Sequence, residues 1–285
     1  MTKRKDFLAV IIVLLLLVTT ITGILSLDFS YAYDFVNQYG QTVSIYGYGI
    51  YAFDSYFAAP ISIGTDICIL FVVVPMFIYT YVNYRRGNDS TSELKLLSVY
   101  AVIFYYATSL SFGVTYNRLF LVYVALFSSS IFGMVMHMKK LAWNQTVEVT
   151  KGLKVFLILS GIALIVAWLP DIIRTLIYGG TLSLIGVYTT NITYVLDMGI
   201  ISPLCFLCLY LLQKKNPIGT MILLILLKLC IVVGIMMIPQ TICQIASEIN
   251  IPLPALITKT LSFVVLGGFA WYFNKRIYKE LDLRK

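Results

Sequence analysis

The chain has 285 residues, of which 60% are hydrophobic and only 12% are charged, and its mean hydropathy is +0.89. A soluble domain carries about 25% charged residues, so this composition excludes a soluble globular protein. The formal net charge of +8 would suit a nucleic-acid partner, but the basic residues lie in short segments between apolar runs, which argues against that class.

Eight apolar runs divide the chain, and each has the length of about 20 residues that a helix needs to cross the bilayer. The first run is too long for the apolar region of a signal peptide, and no small-residue cleavage site follows it, so we expect a retained helix. We predict an all-α, polytopic transmembrane helix bundle that forms one integral membrane domain over residues 1–285. The predicted spans are 7–27, 57–82, 96–114, 119–138, 155–178, 190–213, 220–246 and 255–274.

Basic residues cluster in every second connection. Of the 21 Lys and Arg residues, 17 lie in the segments 3–5, 85–95, 139–154, 214–215 and 275–285. An excess of Lys and Arg marks the cytoplasmic loops of membrane proteins. We therefore predict that both termini are cytoplasmic and that the protein is a multi-pass protein of the plasma membrane, with the lipid bilayer as its first partner.

The predicted first outer loop, Asp28–Tyr56, holds ten aromatic residues with glycines between them. Aromatic side chains commonly anchor proteins at the membrane surface, which accounts for part of this enrichment. The alternative is a lid over a cavity. Asp54 lies near the end of this loop, just before the second span.

Ionisable residues within the spans are the main functional signal, because such residues are costly in a membrane and usually serve a function. Three acids and three bases fall within the spans or near their ends, and their formal charges cancel. One tyrosine shares a helix face with one of these acids, and one further acid lies at the predicted mouth. The candidate substrate-binding or ion-binding residues are Asp54, Asp66, Asp171, Arg174, Tyr194, Asp197, Lys228 and Lys259.

The positions of these residues along their helices predict their partners. At 1.5 Å per residue, Asp66 lies roughly 15 Å from the outer face and Lys228 roughly 13 Å from the inner face, so we predict that they pair near the membrane centre. Asp197 is the competing partner for Lys228. Asp171 and Arg174 are three residues apart and are expected to pair with each other. Together these charges predict a polar cavity that opens outward; the alternative is a set of ion pairs that only fix helix packing.

The second and sixth spans share a weak pattern, because each carries an acid followed by a proline. The pairs are Asp66 with Pro75 and Asp197 with Pro203. A parallel repeat of four plus four spans would relate these two helices. The two spacings differ, however, at nine and six residues.

Cysteine and histidine patterns indicate no metal chemistry. Cys205 and Cys208 form a CxxC pair that we interpret as two small helix residues rather than a redox pair. His137 is the single histidine and has no acidic neighbours in the sequence that would complete a zinc site. We predict no metal and no cofactor.

Four stretches of the chain resemble a family of uncharacterised polytopic membrane proteins from bacteria. They are YGYGIYAFDS (46–55), IGTD (63–66), YNRLFLVYVALFS (116–128) and YVLDMGIISP (194–203). The resemblance extends over most of the chain and implies a bacterial origin. It also implies that Asp54, Asp66 and Asp197 belong to recurring motifs, but it brings no catalytic residue with it.

Three functions agree with these features. We favour a transporter or permease for a small solute or a cation. The first alternative is a membrane-embedded enzyme that acts on a lipid-linked substrate at the outer face, with Asp28, Asp34 and Asp54 as base or metal ligands. The second alternative is a non-catalytic sensor or assembly subunit.

Overall fold

The computed structural model of the protein describes residues 7–87, 89–141, 143–182, 184–249 and 252–282. Within these residues, eight helices are long and apolar enough to cross a membrane, which confirms the predicted all-α bundle of eight spans. We number them in chain order. They are α1 (Phe7–Ile24), α2 (Ala58–Gly87), α3 (Ser90–Gly113), α4 (Phe120–Lys140), α5 (Lys151–Tyr178), α6 (Ile192–Gln213), α7 (Pro217–Ala246) and α8 (Leu253–Asp282).

Several helices extend beyond the apolar runs, because polar side chains cap them. The Asp89 carboxylate accepts a hydrogen bond from the Ser92 N–H at 2.8 Å, so α3 begins six residues before the predicted start. Asn216 caps α7 in the same way, and Pro217 occupies its first turn, where a missing N–H has no consequence. At 1.5 Å per residue, the 30 residues of α7 span about 45 Å.

The connections between α1 and α2, α3 and α4, α5 and α6, and α7 and α8 meet at one end of the bundle. Asp54 contacts Thr115, and the hydroxyl of Tyr56 donates to the Ser247 carbonyl at 3.0 Å. We call this the hairpin end and the opposite end the basic end. Described basic residues such as Arg85, Lys139 and Lys214 lie at the basic end, whereas Lys3–Lys5 lie outside the described residues. The cytoplasmic location of the basic end stays a prediction.

The α1–α2 connection contains an antiparallel hairpin, β1 (Tyr33–Val36) and β2 (Thr42–Ile45), which was not predicted from the sequence. A 3₁₀ turn, Gly49–Tyr51, follows it. Tyr46 and Tyr51 are completely buried, so these two aromatic residues pack inside the protein and do not anchor it at the surface.

Two spans contain a π-helical turn, Ile69–Val73 in α2 and Asp197–Ile201 in α6. In both helices a proline, Pro75 or Pro203, follows two residues after the end of the turn. Proline has no N–H and its ring clashes with the carbonyl four residues earlier, and a local widening of the helix accommodates both effects. Measured from the π turn, the two spacings are identical. This equivalence agrees with a repeat of four plus four spans, which stays a prediction.

Helices α3 and α7 form the centre of the bundle. In the most apolar part of α3, 61% of the residues are buried, and the value for α7 is 50%, whereas it is 22% for both α5 and α8. Helices α2 and α7 cross closely at Gly64, where an added Cβ would lie 2.4 Å from the Cα of Gln240. Small residues permit such close helix contact in membranes. This crossing fixes the level of α2 against α7.

Candidate functional site

Two neighbouring tyrosines of α3 donate hydrogen bonds to the two acids at the π turns. Asp66 precedes the π turn of α2, and Asp197 begins the π turn of α6. Tyr106 donates its hydroxyl to Oδ1 of Asp66 at 2.5 Å, and Tyr105 donates to Oδ1 of Asp197 at 3.1 Å. Consecutive helix residues point about 100° apart, so α3 presents one donor towards α2 and the other towards α6. The two acids therefore share α3 as their partner helix, although Asp197 begins its π turn and Asp66 lies three residues before the other.

Asp66 is completely buried in a pocket of tyrosines. Its Oδ2 accepts a second hydrogen bond, at 2.6 Å, from the hydroxyl of Tyr51 in the hairpin-end loop. Gly23 of α1 packs against this carboxylate, since an added Cβ would lie 1.7 Å from Oδ2. Two hydroxyl donors replace the water that the carboxylate loses on burial.

Asp197 is bonded from α5 as well as from α3. Its Oδ2 accepts from Nε1 of Trp168 at 3.0 Å, and the carboxylate is 7% exposed. The ammonium of Lys259 in α8 lies 5.9 Å from the centre of the Trp168 ring, near enough for a cation–π attraction. An acid, an indole and a lysine from three helices thus form one cluster, which we call the Asp197 cluster.

A cavity of about 340 Å³ contains the Asp197 cluster. It extends from the α5–α6 connection at the hairpin end, where Tyr188 lines it, to Phe156 in the basic-end half of α5. Most of its other walls are apolar. The apolar residues nearest the middle of the helices include Leu164, Leu229, Val233, Met236 and Phe263. A volume of this size lies at the lower end of the range for small-molecule sites.

Polar groups of the cavity other than the Asp197 cluster include Tyr105, Gln240 and Thr65. The amide of Gln240 donates to the Thr65 hydroxyl at 2.8 Å, so α7 and α2 are joined at the cavity wall. Tyr106 also lines the cavity and touches Asp66 with its hydroxyl. Asp66 is therefore one side chain away from the cavity.

Tyr194 and Asp171 extend the Asp197 cluster towards the hairpin end. The Tyr194 ring stacks on Trp168 with centroids 4.6 Å apart, and its hydroxyl donates to Asp171 at 3.1 Å. The expected pair of Asp171 with Arg174 is wrong: Arg174 is exposed on α5 and makes no ion pair within the described part of the chain. Its location at the bundle surface leaves it free to point to the aqueous interface.

The predicted ion pair of Asp66 with Lys228 is also wrong. Within the described residues, the Asp66 carboxylate has two tyrosine hydroxyls as its partners and lies in no ion pair with Lys228. The hydrogen bond of Thr65 to Gln240 sets the depth of Asp66 against α7, and Lys228 lies 12 residues, or about 18 Å, farther towards the basic end. The depth estimate failed because α7 is much longer than a 30 Å core. Lys228 is half-buried and, among the described residues, is not part of the cavity wall.

Asp54 joins three connections at the hairpin end and does not face the cavity. Its Oδ1 accepts from the backbone N–H of Thr115 at 2.9 Å and from the hydroxyl of Tyr188 at 2.8 Å. The side chain is 1% exposed, and Oδ2 has no hydrogen-bond partner among the described residues. Burial raises the pKa of Asp54 to about 7, although both hydrogen bonds lower it.

The hairpin packs on the α5–α6 connection, which lines the hairpin end of the cavity. The Asn37 amide donates to the Gly186 carbonyl at 2.7 Å, and the hydroxyl of Tyr39 donates to the Tyr188 carbonyl at 3.2 Å. These contacts agree with the lid interpretation of the first outer loop, because the loop holds the segment that carries Tyr188.

Sequence reasoning missed the donors that surround the two acids. Tyr105, Tyr106 and Trp168 lie within apolar runs, and a hydropathy profile does not single them out. Each has one polar atom on an aromatic ring, and that atom was the only sign in the sequence that these residues could bond a buried acid. It also missed the buried contact of His137 with Glu93, where Nδ1 and Oε1 are 3.2 Å apart at the basic end. These two residues are 44 positions apart, so no local pattern joins them.

Within the described residues, no group of three or more His, Cys, Asp and Glu side chains lies close enough together to hold a metal ion. No protein-family model, curated protein or solved structure matches the chain. The family resemblance of the four stretches therefore stays a prediction.

Proposed function

We propose that this protein is a transporter or permease that binds a small molecule in the cavity of the Asp197 cluster. The observation that carries this proposal is the cavity itself: it has the volume of a ligand site, and its polar groups converge from α3, α5, α6 and α8 on one level. Four helices that contribute to one site can change its access by moving against each other.

The π turns support movement at this level. Asp197 begins one of them, and Asp66 lies three residues before the other. Such turns leave the regular helical bonding pattern and often lie at functional sites. The helices that carry the two acids are thus irregular beside them, which suits helices that bend during a transport cycle.

The enzyme alternative has less support. Asp54, which it needs as a base or metal ligand, is buried and uses its Oδ1 to hold Thr115 and Tyr188. Asp28 accepts from its own neighbour Ser30, and Asp34 lies on the exposed strand β1. These three acids serve the loop structure and do not line the cavity.

We further propose that the hairpin end faces the outside of the plasma membrane and that the ligand enters from that side. The alternation of basic segments supports this orientation. Asp66, behind Tyr106, is then the candidate to hold a proton that moves with the ligand.

Reconstituted proteoliposomes test this function. Entry of radiolabelled solutes of the zwitterionic, cationic, anionic and neutral classes is compared with entry into protein-free liposomes, and we expect at least one class to enter only with protein. Asp197→Asn should abolish that entry, whereas the control Asp34→Asn, on the exposed hairpin, should retain it. Equal entry with and without protein for every class would refute the proposal.

A further inference from the structure

We propose that the ligand of this cavity is a zwitterionic amphiphile with a single hydrocarbon chain, with its charged head at the Asp197 cluster and its chain along the apolar wall towards Phe156. This inference rests on the proposed function and adds to it the chemical class of the ligand.

The cavity wall has one polar end and one apolar end. The Asp197 cluster lies with Tyr194 and Asn191 near the hairpin end, whereas Phe156, Leu157 and Leu226 line the other end. A fully hydrophilic molecule would lose its water against this apolar wall without gaining hydrogen bonds. A hydrocarbon chain gains free energy from the same contact.

Among the described residues that line the cavity, the charged side chains are one anion and one cation. Asp197 and Lys259 both line the cavity, and the Lys259 ammonium lies over the ring whose Nε1 donates to Asp197. A purely cationic head would approach Lys259 at the cost of repulsion, and a purely anionic head would approach Asp197 at a similar cost. A head with both charges matches the wall when its cation lies at Asp197 and its anion at Lys259.

Helices α5 and α8 form the side of the cavity that faces the lipid. Near the basic end they contact each other through the rings of Phe156 and Phe273, with centroids 5.4 Å apart. Towards the hairpin end their facing residues, among them Leu164 and Phe263, line the cavity. Lys259 lines the cavity and is also exposed, so the polar end lies at the surface of the bundle. An amphiphile in one leaflet can therefore enter sideways, with its head at the level of Lys259.

Ser160 lies beside the proposed position of the ligand's hydrocarbon chain. It lies on α5 in the basic-end half of the cavity, it is 7% exposed, and its hydroxyl has no hydrogen-bond partner among the described residues. Replacement by leucine adds apolar volume at that point without changing any charge. It therefore separates the contribution of the chain from that of the head.

Fluorescence quenching of Trp168 measures binding directly. The full-length protein with Trp143→Phe and Trp271→Phe, which leaves Trp168 as the single tryptophan, is placed in phosphatidylglycerol nanodiscs. The probes are lysophosphatidylcholine, lysophosphatidic acid and an alkyltrimethylammonium, each with the same brominated chain. A second protein that keeps only the exposed Trp271 reports partition into the lipid, and each probe concentration is corrected for it.

We expect the zwitterionic probe to quench Trp168 at a concentration at least about tenfold lower than either singly charged probe, because each of them loses one charged partner. Lys259→Met should remove the advantage over the cationic probe, and Asp197→Asn the advantage over the anionic probe. Ser160→Leu should weaken all three probes equally. The control Lys214→Met, at the basic end of α6, should change nothing.

Equal quenching by the three heads after correction would overturn the proposal, and so would equal competition by glycerophosphocholine, which has the head but no chain. If Asp197→Asn does not fold, Lys259→Met and Ser160→Leu decide the matter alone. Transport of a hydrophilic solute without binding of the zwitterionic probe would refute this inference and keep the proposed function. Binding of the probe without any movement across the membrane would refute the function and keep the ligand class.

Discussion

Tyr106 donates its hydroxyl to Asp66 at the centre of a contact among α1, α2, α3 and the hairpin-end loop. The carboxylate is completely buried, and its bonding partners among the described residues are hydroxyls of two tyrosines. A buried acid of this kind is stable only while its donors remain in place. The network is therefore expected to respond strongly to the loss of one donor.

Tyr106→Phe removes one of these donors and leaves the ring. We expect a loss of about 1–3 kcal/mol in the free energy of unfolding, because Oδ1 of Asp66 becomes unsatisfied inside the protein. Tyr116→Phe is the control, since Tyr116 is 78% exposed at the hairpin end, and it should change stability by less than about 0.5 kcal/mol. Thermal unfolding in one detergent compares the two. Equal effects would show that the bond to Asp66 contributes nothing specific.

Gly64→Ala tests the crossing of α2 and α7. The added methyl group would lie 2.4 Å from the Cα of Gln240, so the two helices must separate, and we expect a cost of about 1–3 kcal/mol or more. Gly268→Ala on α8 meets no atom within 4 Å and should stabilise its helix by up to about 1 kcal/mol. Equilibrium unfolding of both variants is the measurement. If Gly64→Ala leaves the free energy of unfolding unchanged, the close crossing at Gly64 does not fix the position of Asp66 in α2 relative to α7.

Asp54→Asn should remove a pH dependence of stability. The pKa of Asp54 is about 7 in the folded protein and about 3.9 in an unfolded chain, so the folded state binds the extra proton between these values. The contribution of Asp54 to the free energy of unfolding should therefore fall by at most about 4 kcal/mol as the pH rises from 4 to 7, and then remain constant.

The asparagine keeps an oxygen for Thr115 and Tyr188 and does not titrate. The melting temperature of the wild type, measured between pH 5 and pH 8, should fall with rising pH more steeply than that of Asp54→Asn. Parallel curves would contradict the assignment of this dependence to Asp54. The hydroxyl that contacts Asp54, that of Tyr188, does not change charge in this range, since burial raises the pKa of Tyr188 well above 10.

The orientation of the bundle is tested with single cysteines. Val36 is 60% exposed on β1, and Asn144 is exposed in the α4–α5 connection, whereas Asn37 is 4% exposed and bonded to Gly186 and is unsuitable. An impermeant maleimide added to intact cells should label Val36→Cys and spare Asn144→Cys. The five native cysteines are replaced first, because Cys205 and Cys230 line the cavity and would react with a reagent that enters it. The reverse labelling would show that the bundle has the opposite orientation, with the hairpin in the cytoplasm.

Hydropathy predicted the eight spans because apolar length and basic loops follow from the bilayer itself. The bounds of the helices followed less well, since α8 continues through the basic residues Lys275 and Lys279 as a helix beyond its apolar run. The hairpin was missed because its strands have four residues each and lie among turn residues. Such short strands take their stability from their contacts, here with Gly186 and Tyr188.

For the site, the sequence predicted Asp197, Tyr194 and Lys259 as candidates, and the structure brings them to one cavity. The sequence could not predict the partners of Asp66. Opposite charge and equal estimated depth suggested Lys228, but the depth estimate needs the tilt and length of the helices, which the sequence does not give. Tyr106 and Tyr51 reach Asp66 from positions 40 and 15 residues away. Only the packing of α1 to α3 brings these groups together.

The access of Ser160 tests most directly the claim that the cavity serves transport. In a protein without its native cysteines, Ser160→Cys lies in the cavity, whereas the adjacent Leu159→Cys lies on the 59% exposed, lipid-facing side of α5. We predict that a charged, impermeant thiol reagent labels Ser160→Cys both in intact cells and in inverted vesicles, and labels Leu159→Cys in neither. Labelling of Ser160→Cys from neither side, or from one side alone under all ligand conditions, would contradict the account.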